Sequence, residues 1–257
     1  KLSLSALSLA LLSGCPSPPR APPPPQAVSP TTAAAPAAHV GTPYQIVSQS
    51  SLLTVLVYRG GALASAGHNH VIASHDLTGA LYIPSDILQS SFEVHVPVAT
   101  LTVDEAELRA QQPVAEFPPD VPDSAKEGTR RNMLGEALLD AQSNPEIVLR
   151  SLRLEPANDK ATDPPGVLAS VQSSVRGQLR TFTVPVRYRF RTAGGNGGAG
   201  ENGGAGANGI VEASGDFALR QTDLGLTPFS AMLGALQVQD EMRISFRIVA
   251  QAAAVKR

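Results

Sequence analysis

Histidine is the residue type whose spacing first invites a chemical reading. The run Gly67-His68-Asn69-His70 is followed five residues on by His75. On an extended backbone His68 and His70 project to the same side, and two or three imidazoles can hold zinc or copper. His68, His70 and His75 are therefore candidate metal ligands, with His95, Glu93 and Asp76 as residues the fold could bring to them. The competing reading is a tight turn at Gly67, with the imidazoles bonded to backbone or shaping a rim. Other chemistry is thinly signalled. No Gly-x-Ser-x-Gly elbow occurs, and nothing in the spacing assembles a Ser/His/Asp triad. The pair Asp104-Glu105 reads as a solvated helix start rather than an acid/base couple. Arg176, Arg180, Arg187, Arg189 and Arg191 alternate along strand-like runs, as on an outer sheet face; contact with phospholipid headgroups is the sharper alternative.

The single cysteine, Cys15, excludes an intrachain disulfide framework and any cysteine-built metal cage. Its position is informative. Lys1 is followed by Leu, Ser and Ala alone as far as Ser13, a short apolar stretch behind a basic residue that reads as a secretory signal continuing upstream. Leu12-Ser13-Gly14-Cys15 resembles a bacterial lipobox, which predicts cleavage before Cys15 and acylation of its thiol. Several acyl chains supply the multiple anchors that stable membrane attachment requires. Position 16 is Pro rather than the Asp associated with inner-membrane retention. The expected location is therefore the periplasmic face of the outer membrane, or the periplasm.

The elements that must position these residues follow from composition. The chain has 257 residues, a net charge of −2, 22 Gly and 22 Pro. Balanced charge argues against a nucleic-acid partner. Residues 16–43 hold ten of the prolines, seven alanines and one charged residue, Arg20, so 15–43 reads as a lipidated cysteine and semi-rigid tether. A proline-rich ligand for a partner domain is the alternative. Residues 193–209 contain only Gly, Ala, Asn and Glu201 and read as a disordered insertion between two strands.

The body, 44–257, alternates as strands do. The runs are Tyr44–Tyr58, Leu77–Ile83, the stretch around Phe92, Val94, Val96 and Val98, Glu146–Leu154, Val167–Leu179, Thr181–Thr192, Ile210–Gln221 and Leu236–Gln251. The expected fold is mainly β: an antiparallel barrel of about eight strands with one or two short helices near its mouth. The clearer helix is predicted over Ser124–Leu139, capped by Ser124 with Glu127 at the capping-box spacing, its apolar stripe made by Met133, Leu134, Ala137 and Leu138. A shorter helix is expected over Val103–Gln111.

With these elements laid out, the body resembles the YceI family of lipid- or polyisoprenoid-binding, lipocalin-like proteins. Tyr44-Gln45-Ile46-Val47 followed by Ser50-Ser51-Leu52-Leu53 is similar to the family's opening strand. Val96-Pro97-Val98-Ala99-Thr100-Leu101-Thr102-Val103-Asp104 resembles the segment leading to its first helix. Arg131-Asn132-Met133-Leu134, then Leu138-Leu139-Asp140-Ala141 and Asn144-Pro145-Glu146-Ile147, resembles its helix-to-strand passage. Val175–Arg180 with Val184-Pro185-Val186, and Arg220–Leu226, resemble its later strands and turn. Gln178 and Leu224 depart from the family's usual His and Phe, and the glycine-rich insertion is an addition.

The resemblance implies a non-catalytic, extended barrel that takes a long isoprenoid (quinone- or polyprenol-like) or fatty-acyl ligand, with no required cofactor. Its lining is expected from Phe92, Val94, Val96, Met133, Leu134, Leu138, Phe217 and Phe229. The expected partners are that hydrophobic ligand and, from the lipobox, a membrane through the lipid anchor; a homodimer with a second copy of the chain stays open. Two other readings stay open: a metal- or haem-associated redox accessory built on the histidines, and a structural envelope module whose barrel is filled with side chains.

Overall fold

The computed structural model describes residues 39–157, 164–192 and 209–253. Cys15, most of the tether and residues 193–208 lie outside the described residues. No helix among the described residues is long and apolar enough to cross a membrane.

Alternation of β-branched and aromatic residues drives the chain into twelve strands. They are β1 (Thr42–Ile46), β2 (Leu52–Gly60), β3 (His70–Ser74), β4 (Thr78–Ile83), β5 (Ser91–Pro97), β6 (Thr102–Val103), β7 (Glu146–Pro156), β8 (Gly166–Val175), β9 (Gln178–Thr192), β10 (Gly209–Arg220), β11 (Ser230–Ala231) and β12 (Leu236–Ala252). All pairings are antiparallel, and the sheet closes because β12 pairs with β10 on one side and with β1 and β2 on the other.

Three positions of the ring are broken strands. A 3-10 turn at Ser48–Ser50 separates β1 from β2, residues 75–77 separate β3 from β4, and residues 98–101 separate β5 from β6. In each case the first half of one broken strand pairs with the second half of its neighbour: β1 with β4 and β4 with β5 at one end, β2 with β3 and β3 with β6 at the other. Counting each broken pair once gives an eight-position barrel in which chain neighbours are sheet neighbours. The run expected as one strand over Tyr44–Tyr58 is thus two. At the break Ser51 Oγ donates to the nearby Val47 carbonyl and accepts from the distant Val249 amide, a side-chain bond in place of a ladder bond there.

Two helices are present, α1 (Ala106–Ala110) and α2 (Asp123–Leu134). Both are shorter than expected. α2 begins at Asp123 behind Pro122, with no side-chain cap bond, so Ser124 is a first-turn residue and not the cap. It stops at Gly135, whose extended backbone (ψ 166°) ends the helical run. Ala137 and Leu138 therefore lie in the turns that follow and not on a helical stripe.

The barrel is packed on both sides of β2 and β3. Leu53, Val55 and Val57 face inward. Leu56, Val71 and Ala73 face outward, beneath Leu108 of α1 and Phe117. This outer cover explains why β2 is apolar on both faces, a pattern that sequence alternation alone leaves undecided. Arg187, Arg189 and Arg191 lie on the exposed face of β9, opposite inward Phe182, Val184, Val186 and Tyr188.

Candidate functional site

Inside the barrel is a cavity of about 580 Å³. The barrel is therefore not filled by its own side chains. The volume falls in the range typical of small-molecule sites.

Its wall is built strand by strand from alternate residues: Val94 and Val96 of β5, Ile147 and Leu149 of β7, Val167, Ala169 and Val171 of β8, Phe217 and Leu219 of β10, and Ile244, Phe246 and Ile248 of β12. Gly215 of β10 makes the ring of Phe246 possible. The two are cross-strand partners, and a Cβ at Gly215 would lie 2.5 Å from the Phe246 ring and 2.4 Å from the Pro185 carbonyl oxygen. α2 contributes Met133 to the wall, and the turns beyond it contribute Leu138 and Leu139. Among the expected lining residues, Phe92, Val94, Val96, Met133, Leu138, Phe217 and Phe229 all border the cavity. Leu134 does not; it packs behind, against the buried cluster that includes Met133 and Leu139. Leu224, one of the two departures from the family pattern, also borders the cavity, whereas Gln178 does not and bonds to Arg180.

Polar side chains border the cavity chiefly at the α2 end. Arg59, His68, His70, Thr129 and Asn132 gather there, and Arg59 and Asn132 are exposed, so the cavity reaches the surface at this end. The arrangement is fixed from behind by Asp104, whose side chain is fully buried. Asp104 sits at φ 55°, a left-handed conformation that Asp tolerates better than most residues, immediately before α1. Its Oδ2 accepts from His70 Nδ1 at 2.6 Å. Its Oδ1 accepts from the Val71 amide at 2.9 Å and from Arg109 Nη1 at 2.7 Å.

Burial alone would raise the Asp104 pKa. The bonds from His70 and Val71, with the charge of Arg109, outweigh it and hold the carboxyl below its usual range. Arg109 is locked in turn by the Pro118 and Asn69 carbonyls and lies 5.6 Å from the centre of the Phe117 ring. The far nitrogen of His70, Nε2, lies 3.0 Å from Thr129 Oγ1 of α2. Burial and the neighbouring cationic groups push the His68 pKa down.

The histidines are thus not assembled as a three-ligand metal centre. Both ring nitrogens of His70 are occupied, His68 stands 6.1 Å from it ring to ring, and His75 pairs with Glu105 at 3.1 Å on the surface. His95 and Glu93 form a separate network with Glu146 and Arg150. Among the described residues no group of three or more His, Cys, Asp or Glu could hold a metal ion. Asp104, read from sequence as a solvated helix start, is instead a buried anchor. Its partner His70 is 34 residues away, and no local spacing reports that contact. Thr129 was equally illegible, since a lone helical threonine carries no signal of its own.

A closed up-and-down antiparallel barrel around an apolar chamber, with short helices at one end, defines a lipocalin-like binding fold. The model of the YceI-like domain matches residues 44–250, and the chain belongs to the YceI family. Among solved structures, Burkholderia cenocepacia BcnA is 15% identical, with a TM-score of 0.51 over 79% of this chain and 98% of that one, a likeness of fold. A polyisoprenoid binding domain from Saccharophagus degradans, implicated in plant cell wall breakdown, is 9% identical, with a TM-score of 0.46 over 82% and 98%. The Campylobacter jejuni YCEI protein is 8% identical, with a TM-score of 0.43 over 69% and 82%. A comparison with curated protein sequences finds no match.

Proposed function

We propose that this protein is a non-catalytic carrier or sequestrant of one long isoprenoid or acyl lipid in the bacterial periplasm, tethered to the outer membrane through an acylated Cys15. The observation that carries the lipid reading is the cavity of about 580 Å³ enclosed by inward Val, Leu, Ile and Phe of every barrel position. Among the described residues Arg59 is the one Lys, Arg, Asp or Glu bordering it. Such a chamber matches a hydrocarbon tail, because each buried methylene contributes about 0.8 kcal/mol and no buried charge opposes it. Membership of the YceI family points the same way. The lipobox-like Leu12-Ser13-Gly14-Cys15 supports the anchoring half.

One preparation tests both halves. The full chain and Cys15→Ser are expressed in a bacterial host and fractionated, and the released Cys15→Ser is purified without detergent for native mass spectrometry and organic extraction. The parent is expected in the membrane fraction, Cys15→Ser released by carbonate, and about one apolar molecule per chain in the purified variant. Extracts without stoichiometric lipid, together with no uptake of polyprenol or ubiquinone analogues, would overturn the carrier reading. Carbonate-resistant Cys15→Ser would overturn the anchor.

A further inference from the structure

The open end of the barrel carries a hairpin whose composition is at odds with its exposure. β11 and the start of β12 pair Ala231 with Leu236, which leaves residues 232–235 as the tip. Leu233 is fully exposed and Met232 is 71% exposed. Both stand at left-handed backbone angles, φ 54° and φ 51°. That conformation suits Gly and Asn, so a turn kept for its shape alone has no use for two large apolar side chains.

A second loop lies against the first. Leu63, also exposed, donates its amide to the Ala235 carbonyl at 2.8 Å. Gly61, at φ 86°, permits the approach, because a Cβ there would lie 2.5 Å from the same oxygen. Residues 60–67 and 224–239 hold no Lys, Arg, Asp or Glu. Both loops lead into the cavity: Phe229 and Leu236 border it from the hairpin, and Gly67 and His68 from the end of the second loop.

An uncharged tip with large apolar side chains fits the acyl layer of a lipid bilayer. A protein interface surrounds its apolar centre with a polar rim, and these loops offer no charge with which to build one. Arg59 is exposed at the foot of the second loop, where a cation meets lipid phosphates once the residues beyond it are inserted. We propose that Met232 and Leu233, with Leu63 beside them, form a docking tip that seats the mouth of the barrel on a bilayer. A long apolar tail then passes between bilayer and cavity without crossing water. That route rests on the lipid-carrier reading; the docking contact does not.

The test uses the full chain with Cys15→Ser, which has no other thiol, so one introduced cysteine can carry an environment-sensitive nitrobenzoxadiazole dye. Leu233→Cys places the dye at the tip, and Leu152→Cys on β7 is the reference. With phosphatidylcholine vesicles the tip dye should shift to the blue and be quenched by spin labels on the lipid acyl chains. The reference dye should change little. High salt should leave the shift in place, since the inserting residues carry no charge. Met232→Asn, an exchange the left-handed backbone tolerates, should raise the vesicle concentration for half the shift about tenfold. Circular dichroism establishes that each variant is folded. A tip dye that stays in water, as when residues 1–14 alone hold the chain on the vesicle, would overturn the proposal. So would a shift indifferent to Met232→Asn. A shift that needs no vesicles and grows with protein concentration would assign the tip to a second copy of the chain instead. Insertion of the tip in a chain that carries no lipid supports the docking surface and overturns only the carrier reading.

Discussion

Asp104 holds its carboxylate out of water against three donors, and removing its charge has two separable consequences. Asp104→Asn preserves the side-chain shape and tolerates the left-handed backbone, but it leaves the Arg109 guanidinium buried without a counter-charge. Breaking one side of a buried ion pair costs about 3–5 kcal/mol, and that loss is expected in chemical denaturation at neutral pH. The second consequence concerns acid. The folded pKa of Asp104 lies below its unfolded value, so its contribution is fully present above the ordinary carboxylate range and is lost as pH falls through the folded value. Asp104→Asn should therefore flatten the acid limb of the stability profile as well as lower the whole curve. A variant as stable as the parent at pH 7 would mean that the pair is an ornament of the fold. Residue-level reading of the sequence found His70 but not its partner. The alternation that marks a strand says nothing about which loop carboxylate, folded in from the start of α1, will sit behind it.

At the level of elements the strongest test concerns the join between β9 and β10. Thr192 and Gly209 are direct ladder partners, so the strand ends already stand at hairpin distance. Replacing 193–208 by Asn-Gly, a two-residue turn suited to a hairpin, should leave the barrel intact. Because loop-closure entropy varies slowly with length, stability should rise by no more than about 1–2 kcal/mol. Collapse of the fold on replacement would show that the glycine-rich segment makes contacts the barrel needs. Strand existence was legible wherever apolar residues alternate, as at Phe92, Val94 and Val96, all of which border the cavity. Boundaries were less so. α2 ends at Gly135, a stop signal present in the sequence but overridden in reading by the apolar spacing of Ala137 and Leu138. The breaks in the first strands depend on long-range bonds such as Ser51 to Val249, which no local pattern contains.

For the whole molecule, closure and cavity are one fact. Eight strand positions with long inward side chains would fill a narrow barrel. Here Ala169 and Ala213 thin the wall lining and leave space that a ligand can occupy. A ligand that binds the folded barrel and not the unfolded chain stabilises by mass action. Geranylgeraniol at a hundredfold excess over its Kd should add about 2.7 kcal/mol. For a body of this size that corresponds to a Tm rise of about 5–10 °C. Leu138→Asp separates this effect from general stability. Leu138 borders the cavity from the turns after α2 and is only half-buried, so the empty variant should melt within a few degrees of the parent. Its carboxylate would nevertheless face the lodged tail without a partner, at a cost of several kcal/mol to binding. The expected result in differential scanning calorimetry is a clear ligand-induced shift in the parent and almost none in Leu138→Asp. Equal shifts in the two proteins would place the tail elsewhere than against this wall and would detach the cavity from the lipid-carrier reading.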